Sequence, residues 1–304
     1  MLHHLLVPLD GTPASEETLP VAAALAKQSS ARVTLLHVIE HDAPQSIHGQ
    51  PHLHEAGAAE SYLERIAANA FAEETTVDWH VHGRGVRDVA HSVIDHAEEM
   101  EPELVIIRAH GEDKLRNWLF GTIPQQIVSH GTIPVLLLQP DTTGTIRFPF
   151  RNILVPLDGK PDHERALGMA GELARLFDAT LHLITVVPTV DRLSGTTAVA
   201  GSFLPESTRM ILNLEVEQAS QYLLQHVGKL THEGCRAKAH VLRGEPLEMI
   251  IQSAEAIKAD LVCLGTHGKA GTHAFWSGSV AQRLIHNIPT SFLLAPARVD
   301  IPHE

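Results

Sequence analysis

The chain contains one sequence pattern twice, and this repeat restricts the folds open to it more than any other feature. Each copy begins with an apolar run that ends in VPLDG, at residues 7–11 and 155–159. An alanine- and leucine-rich stretch follows in both copies, and a second apolar run comes after it. The prolines of the two runs lie 148 residues apart, which is the size of one ordinary domain. We therefore predict two domains of one kind, residues 1–145 and 146–304.

Hydrophobic periodicity divides each copy into alternating strands and helices. Continuous short apolar runs are typical of buried strands, and longer stretches with a helical period predict helices. The predicted strands are residues 3–9, 32–39, 76–82, 103–108 and 134–138, then 151–157, 179–187, 236–242, 260–264 and 291–295. The predicted helices are residues 13–29, 54–74, 86–100 and 122–130, then 162–177, 205–232, 246–258 and 279–287. This order predicts an α/β fold of two tandem, doubly wound, Rossmann-like domains, each with a five-stranded parallel sheet.

Unusual residues follow the predicted strands. Asp10 and Asp158 come directly after the first strand of each copy. In the second copy Gly265 lies at the end of the fourth strand, and Gly268 follows three residues later. Ligands of doubly wound sheets bind at the carboxyl ends of the strands. We therefore expect the functional site of each copy at that edge of its sheet.

The glycine segment of the second copy has the composition of a phosphate-binding loop. Gly265 and Gly268 allow a ligand to approach the backbone closely. Nine residues later, Gly278 and Ser279 begin a predicted helix, whose free amide groups favour a phosphate. Ser279 can donate its hydroxyl or cap the helix. The spacing is neither a Walker A loop nor a dinucleotide-binding G-x-G-x-x-G, so the residues alone predict only a phosphate-rich ligand.

Charge and cysteine content exclude several classes of protein. With 36 acidic against 23 basic residues, the net charge of −13 argues against nucleic-acid binding. Only Cys235 and Cys263 are present, so we expect no disulfide framework and a cytoplasmic location. No apolar run approaches the ~20 residues of a membrane span, and we expect no membrane association. The motifs contain no nucleophile with an adjacent base, so we predict no catalytic residues.

These motifs together resemble the universal stress protein family in its tandem, two-domain form. The family carries G-x2-G-x9-G-[ST] after its fourth strand, and Gly265, Gly268, Gly278 and Ser279 match it. The resemblance covers nearly the whole chain, twice. Its other elements are the VPLDG start, the LHV at residues 36–38, the RGE at residues 243–245 and the Ile-Pro pair before each fifth strand.

The resemblance implies that the second copy binds ATP or a related adenine nucleotide, with or without Mg²⁺. The glycines and Ser279 would contact the phosphates, and Val280 would add a backbone amide. Asp158 and Val186 would lie along the ribose and the adenine, although an Asp-Gly after a strand is also an ordinary turn. The other residues of the predicted site are Pro156 and His267, and His267 has loop packing as an equal alternative.

The family resemblance also implies a function and an assembly. It implies a stress-response regulator or sensor, with slow ATP hydrolysis at most. A true Mg²⁺-dependent ATPase remains an alternative, as does a binding module for AMP, a cyclic nucleotide or a lipid-like molecule. The last strands of the two copies would pair within the chain as an intramolecular pseudo-dimer, and two chains can associate further as a homodimer. The sequence does not identify a protein partner.

The first copy departs from the phosphate motif. Gly111, Gly121 and Thr122 keep the spacing, but Arg108 stands where the first glycine is expected. The arginine either fills the space of the phosphates or pairs with one of them. The counterparts of Asp158 and Val186 are Asp10 and Val38. We predict that this second, degenerate site is weaker, takes another ligand, or binds nothing.

Histidines are unusually frequent, with 22 along the chain. They are densest in an irregular segment, where His52, His54 and Glu55 have the side chains that zinc prefers. Their spacing fits no compact zinc-binding pattern. We therefore predict a solvated loop in this segment and no metal site.

Overall fold

The computed structural model describes residues 2–41, 46–47, 50–51, 53–109, 126–127, 131–159, 164–190, 205–266 and 280–296. These residues form two compact units. The first extends from Met1 to Ile146 and includes the C-terminal strand that begins at Ser291. The second comprises the described residues of Arg147–His267 and His273–Thr290.

In the first copy, strands and helices alternate as the periodicity predicts. Its strands are β1 (His4–Pro8), β2 (Arg32–Glu40), β3 (Ser46–Ile47), β4 (Gln50–Pro51), β5 (Val77–Val86), β6 (Leu104–Arg108) and β7 (Val135–Leu138). Its helices are α1 (Pro13–Glu16), α2 (Leu19–Ser29), α3 (Ala56–Ala70) and α4 (Val89–Met100). Among the described strands, the short β3 and β4 pair with each other and with no third strand, in the segment predicted to be an irregular loop.

The second copy repeats this alternation and has a helix before its last strand, whose first-copy counterpart, predicted at residues 122–130, lies largely outside the described residues. Its strands are β8 (Asn152–Pro156), β9 (Thr180–Val187), β10 (Arg236–Arg243), β11 (Leu261–Thr266) and β12 (Ser291–Pro296). Its helices are α5 (Arg165–Phe177), α6 (Pro205–His232), α7 (Pro246–Ala256) and α8 (Val280–Asn287). The α/β fold class and the tandem repeat are therefore confirmed.

The sheet of the first unit has the strand order β5-β2-β1-β6-β7-β12. Its first five strands are parallel, as predicted for a doubly wound domain. The last neighbour, β12, comes from the second copy and is antiparallel to β7, with Phe292 opposite Leu137. The predicted pairing between the final strands of the two copies is confirmed, and it covers the apolar edge of β7.

The sheet of the second unit has the order β10-β9-β8-β11 and is parallel throughout. Its central strands are apolar and buried, because α-helices cover a parallel sheet on both faces. The compact units and the sequence copies thus differ at β12, which the second copy contributes to the first unit. The domain boundary between residues 145 and 146 stays a prediction.

Equivalent acidic residues fix the first strand of each copy. Oε2 of Glu103 accepts hydrogen bonds from the amides of His3 and His4, at 3.2 and 2.6 Å. Oδ2 of Asp260 accepts the corresponding bonds from Arg151 and Asn152, at 2.8 and 3.0 Å. The two copies therefore share their hydrogen bonds as well as their sequence pattern.

One predicted helix is wrong in its continuity. The stretch 13–29 is divided into α1 and α2, which are separated between Glu16 and Leu19. Pro20 explains the break, since proline has no amide to donate and its ring excludes the carbonyl of residue 16 from the helical position. Among the helices that the structure describes, none combines the length and the apolar character needed to cross a lipid bilayer.

Candidate functional site

Three parallel strands bring the predicted nucleotide-binding residues of the second copy to one edge of the sheet. Pro156 ends β8, Val186 is the penultimate residue of β9, and Gly265 is the penultimate residue of β11. In the register, Pro156 pairs with Ile184 on β9, and β11 pairs with β8 on its other side. The carboxyl ends of these strands therefore converge, with Asp158 directly after β8.

Two hydrogen bonds hold the backbone that presents Asp158. The amide of Leu157 donates to the carbonyl of Ile184 over 2.8 Å. The hydroxyl of Thr185 donates to the carbonyl of Leu157 over 3.0 Å. Asp158 itself is exposed, and Gly159 follows with a φ of +78°, a conformation that glycine adopts without strain. The loop is therefore fixed at its base, and Asp158 is exposed next to this fixed part.

A tyrosine and a glutamate lie beside Asp158. The hydroxyl of Tyr222, on α6, donates to Oε1 of Glu164 over 2.8 Å. Nε2 of His226, one turn further along α6, lies 3.4 Å from the same oxygen. Burial raises the pKa of Tyr222 most, followed by the bond to Glu164 and the charges of Glu164 and Asp158. The site thus combines two carboxylates with a protonated phenol.

The first copy repeats the fixed loop with different side chains. The amide of Leu9 donates to the carbonyl of Leu36 over 2.8 Å, and Nδ1 of His37 donates to the carbonyl of Leu9 over 2.8 Å. Oδ1 of Asp10 accepts from the amide and the hydroxyl of Thr12, at 2.9 and 2.7 Å. Asp10 therefore closes a turn at the start of α1, the role that the sequence analysis gave as the alternative for its counterpart Asp158.

The tyrosine–glutamate contact is also present in the first copy. The hydroxyl of Tyr62, on α3, donates to Oε1 of Glu16 over 3.1 Å. Burial raises the pKa of Tyr62, and the charges of Glu16 and Asp10 raise it further. The same three residue types thus surround the first strand end of both copies.

Two contacts restrict access to the equivalent edge of the first copy. Nε of Arg108 donates to Oε2 of Glu17 over 2.7 Å, and the arginine side chain is only 15% exposed. A methyl group on Gly11 would lie 2.8 Å from a methyl carbon of Leu53, whereas one on Gly159 would meet no described atom within 4 Å. The arginine therefore pairs with a carboxylate of its own domain, and Leu53 covers the glycine turn.

The remaining predicted residues divide into placed and unplaced ones. Val280 is the first residue of α8 and is 41% exposed, while Val38 is buried in β2. The others lie outside the described residues: His267, Gly268, Gly278, Ser279, Gly111, Gly121 and Thr122. His52, which was weighed as a zinc ligand, also lies outside them.

Sequence reasoning missed the tyrosine–glutamate pairs. Glu16 and Glu164 are 148 residues apart, which is the offset of the repeat, and this spacing is a signal that the sequence offered. Tyr62 and Tyr222 are 160 residues apart, because the second copy is longer in the segment before its third strand. The tyrosines therefore do not align by a constant offset.

The sequence model of the universal stress protein family matches residues 1–139 and 149–296. A universal stress protein of Methanocaldococcus jannaschii is 32% identical over 139 residues, which are 45% of this chain and 77% of that protein. A universal stress protein E homolog of Haemophilus influenzae is 24% identical over 257 residues, 80% of this chain and 76% of the relative.

Two solved structures have the same fold along nearly the whole chain. A universal stress protein of Archaeoglobus fulgidus superimposes with a TM-score of 0.63 at 17% identity, covering 98% of this chain and 97% of that one. A functionally unknown protein of Pseudomonas aeruginosa gives 0.67 at 15% identity, covering 97% and 93%. At these identities the likeness concerns the fold.

Proposed function

The chain belongs to the universal stress protein family, and from this premise we propose that its second copy binds ATP or a related adenine nucleotide. In this proposal the protein is a cytoplasmic stress-response regulator or sensor, and any hydrolysis of the nucleotide is slow. The observation that carries the proposal is the convergence of Asp158, Val186 and Gly265 at one edge of a parallel sheet. That edge is where doubly wound folds bind their ligands.

The ends of the phosphate segment support the assignment. Gly265 lies within β11 and Val280 begins α8, so the unplaced residues of the motif connect a strand end with a helix N-terminus. A helix of eight residues presents free amides and a partial positive charge to a phosphate. The sequence supplies Gly268, Gly278 and Ser279 between them, at the spacing typical of the family.

The acidic groups near the site favour a nucleotide bound together with a divalent cation. Asp158 and Glu164 both act on Tyr222, so their carboxylates lie in the same neighbourhood. A polyphosphate beside two carboxylates experiences repulsion, which a Mg²⁺ ion shared by oxygen ligands relieves. We therefore propose Mg·ATP as the bound form, with Asp158 on the side of the cation or the ribose.

For the first copy we propose that no ATP binds. Arg108 is paired with Glu17, so releasing it to a phosphate would leave a carboxylate unpaired. Asp10 is occupied by two hydrogen bonds from Thr12. Leu53 covers Gly11, whereas no atom of the described residues lies within 4 Å of a methyl group placed on Gly159.

Mass spectrometry of ligands that copurify with the protein tests the identity of the nucleotide. The full chain is denatured, the released small molecules are identified, and the Gly278→Glu variant is treated in parallel. We expect ATP or ADP from the natural protein and none from the variant. Release of AMP, a cyclic nucleotide or a lipid from the natural protein would identify that molecule, and not ATP, as the ligand of the site. A Mg²⁺-dependent hydrolysis assay on the same preparations separates a sensor from an ATPase.

A further inference from the structure

Three histidines of the first unit lie together on one side of its sheet. His80 and His82 are two residues apart on β5, so their side chains project from the same face of the strand. His96 lies on α4, and its ring centroid is 4.9 Å from that of His80 and 5.1 Å from that of His82. One nitrogen of each ring lies within 4.8 Å of the other two.

His96 is held in the form that a metal ion requires. It is buried, and its Nδ1 is 2.7 Å from the backbone carbonyl of Ser92. A carbonyl accepts and cannot donate, so Nδ1 carries a hydrogen, and in the neutral imidazole this leaves the lone pair on Nε2. Metal-binding histidines are oriented in this way, by a carbonyl or carboxylate at the other ring nitrogen.

The position in the fold allows an ion to enter. β5 has β2 as its only partner among the described strands, so it lies at the edge of the sheet. His80 and His82 remain accessible to solvent, while His96 closes the site from the inside. Glu99, on the next turn of α4, interacts electrostatically with His80 and adds a negative charge beside the rings.

We propose that His80, His82 and His96 form a binding site for a divalent transition-metal ion, Zn²⁺ by preference. Neutral imidazoles suit Zn²⁺, which binds nitrogen at about 2.0–2.1 Å and accepts three histidines with water in the fourth position. Modest side-chain rotation brings nitrogens within 4.8 Å to the spacing of such a site. The proposal is independent of the nucleotide site in the second copy.

The second copy provides an internal comparison. Leu36 and Val38 pair with His80 and His82, and in the second copy Ile184 and Val186 pair with His240 and Leu242. His96 lies eight residues after the N-cap Asp88, and the residue eight after the N-cap Glu245 is Ser253. The second copy thus keeps one histidine of the three, and the cluster belongs to the first copy alone.

Zinc titration of the chelator-treated full chain tests the site. We expect one Zn²⁺ per chain, with affinity at least about tenfold weaker in His82→Gln and in His96→Gln. His82→Gln removes an accessible side chain and is expected to fold, which its thermal denaturation checks. His240→Gln and His54→Gln are the matched controls and should bind zinc as the natural chain does. Co²⁺ in place of Zn²⁺ should give the visible absorption of a low-coordinate site.

Several results would overturn the proposal. The natural chain could take up no stoichiometric zinc, or His82→Gln could bind it as tightly as the natural chain. A loss of affinity in His240→Gln equal to that in His82→Gln would show scattered surface binding. A loss of zinc affinity in His54→Gln alone would place the metal site in the histidine-rich segment before α3.

Discussion

The hydroxyl of Tyr222 donates a hydrogen bond to Oε1 of Glu164 over 2.8 Å, near enough to Asp158 for the charge of that carboxylate to act on the tyrosine. The first copy contains the same contact between Tyr62 and Glu16, over 3.1 Å. The bond thus survives in a copy whose phosphate motif is incomplete. We infer that it serves the stability of both domains, and that only in the second copy does it also support a ligand.

Replacing each tyrosine by phenylalanine separates these two roles. Tyr222→Phe and Tyr62→Phe each remove one donor from a glutamate, so each should lower the free energy of unfolding by about 0.5–1.5 kcal/mol. Only Tyr222→Phe should also weaken Mg·ATP binding, by a few-fold, because Glu164 loses its fixed position. Urea unfolding and nucleotide titration of both variants measure the two effects. Equal affinities of the two variants for Mg·ATP would indicate that the tyrosine–glutamate bond has a structural role alone.

The two aspartates after the first strands should behave differently. Asp158→Ala should weaken Mg·ATP binding by at least about tenfold, which corresponds to about 1.4 kcal/mol. Asp10→Ala should leave that affinity unchanged and lower the free energy of unfolding by about 1–2 kcal/mol, since Thr12 loses the acceptor of two bonds. Calorimetric titration and urea unfolding are the measurements. Weaker ATP binding in Asp10→Ala would indicate that the first copy takes part in the site.

Restoring the missing glycine should not restore a site in the first copy. Arg108→Gly removes the pair with Glu17 and should cost about 0.5–1 kcal/mol of stability, because the glutamate is 42% exposed. ATP stoichiometry should stay at one per chain, since Leu53 still covers Gly11. A second ATP bound by Arg108→Gly would identify the arginine alone as the obstacle.

His182 should make the stability of the second unit dependent on pH. Its Nδ1 lies 3.3 Å from Nε2 of His240, and within the described part of the chain its buried Nε2 has no hydrogen-bond partner. Burial, and then the charges of His240 and Lys238, lower the pKa of His182 to about 4. The unfolded chain binds this proton near pH 6.5, so stability is full above that value and falls as the pH decreases towards 4.

The size of this effect follows from the shift and from the surroundings of the pair. The shift in the pKa of His182 from 6.5 to about 4 is equivalent to about 3 kcal/mol of stability. Because the neighbouring His240 is accessible to water, screening reduces the expected loss of stability to about 1–2 kcal/mol. Urea unfolding at about pH 7 and about pH 5 should show this additional loss in the natural chain and not in His182→Leu. Identical losses in both proteins would assign the pH dependence to other groups.

The sequence predicts the fold well because its strongest signals are local. Continuous apolar strands, the repeat and the Asp-Gly turns determine the order of elements and the edge at which Asp158 lies. The break before α2 was also local, at Pro20, and could have been predicted. The histidine cluster joins β5 to α4, and the tyrosine–glutamate pairs join α3 to α1 and α6 to the N-terminal end of α5. Such contacts depend on tertiary packing that no local pattern contains.

The most direct test of the account is calorimetric titration of Mg·ATP into the nucleotide-free full chain, beside Gly278→Glu and its first-copy counterpart Gly121→Glu. Both variants introduce a glutamate at the third position of the phosphate motif in their copy. Gly121→Glu therefore controls for the added charge and size of the side chain in Gly278→Glu. The account predicts one ATP per chain in the natural protein and in Gly121→Glu, and none in Gly278→Glu. Binding that persists in Gly278→Glu, or that disappears in Gly121→Glu, would contradict a nucleotide site in the second copy.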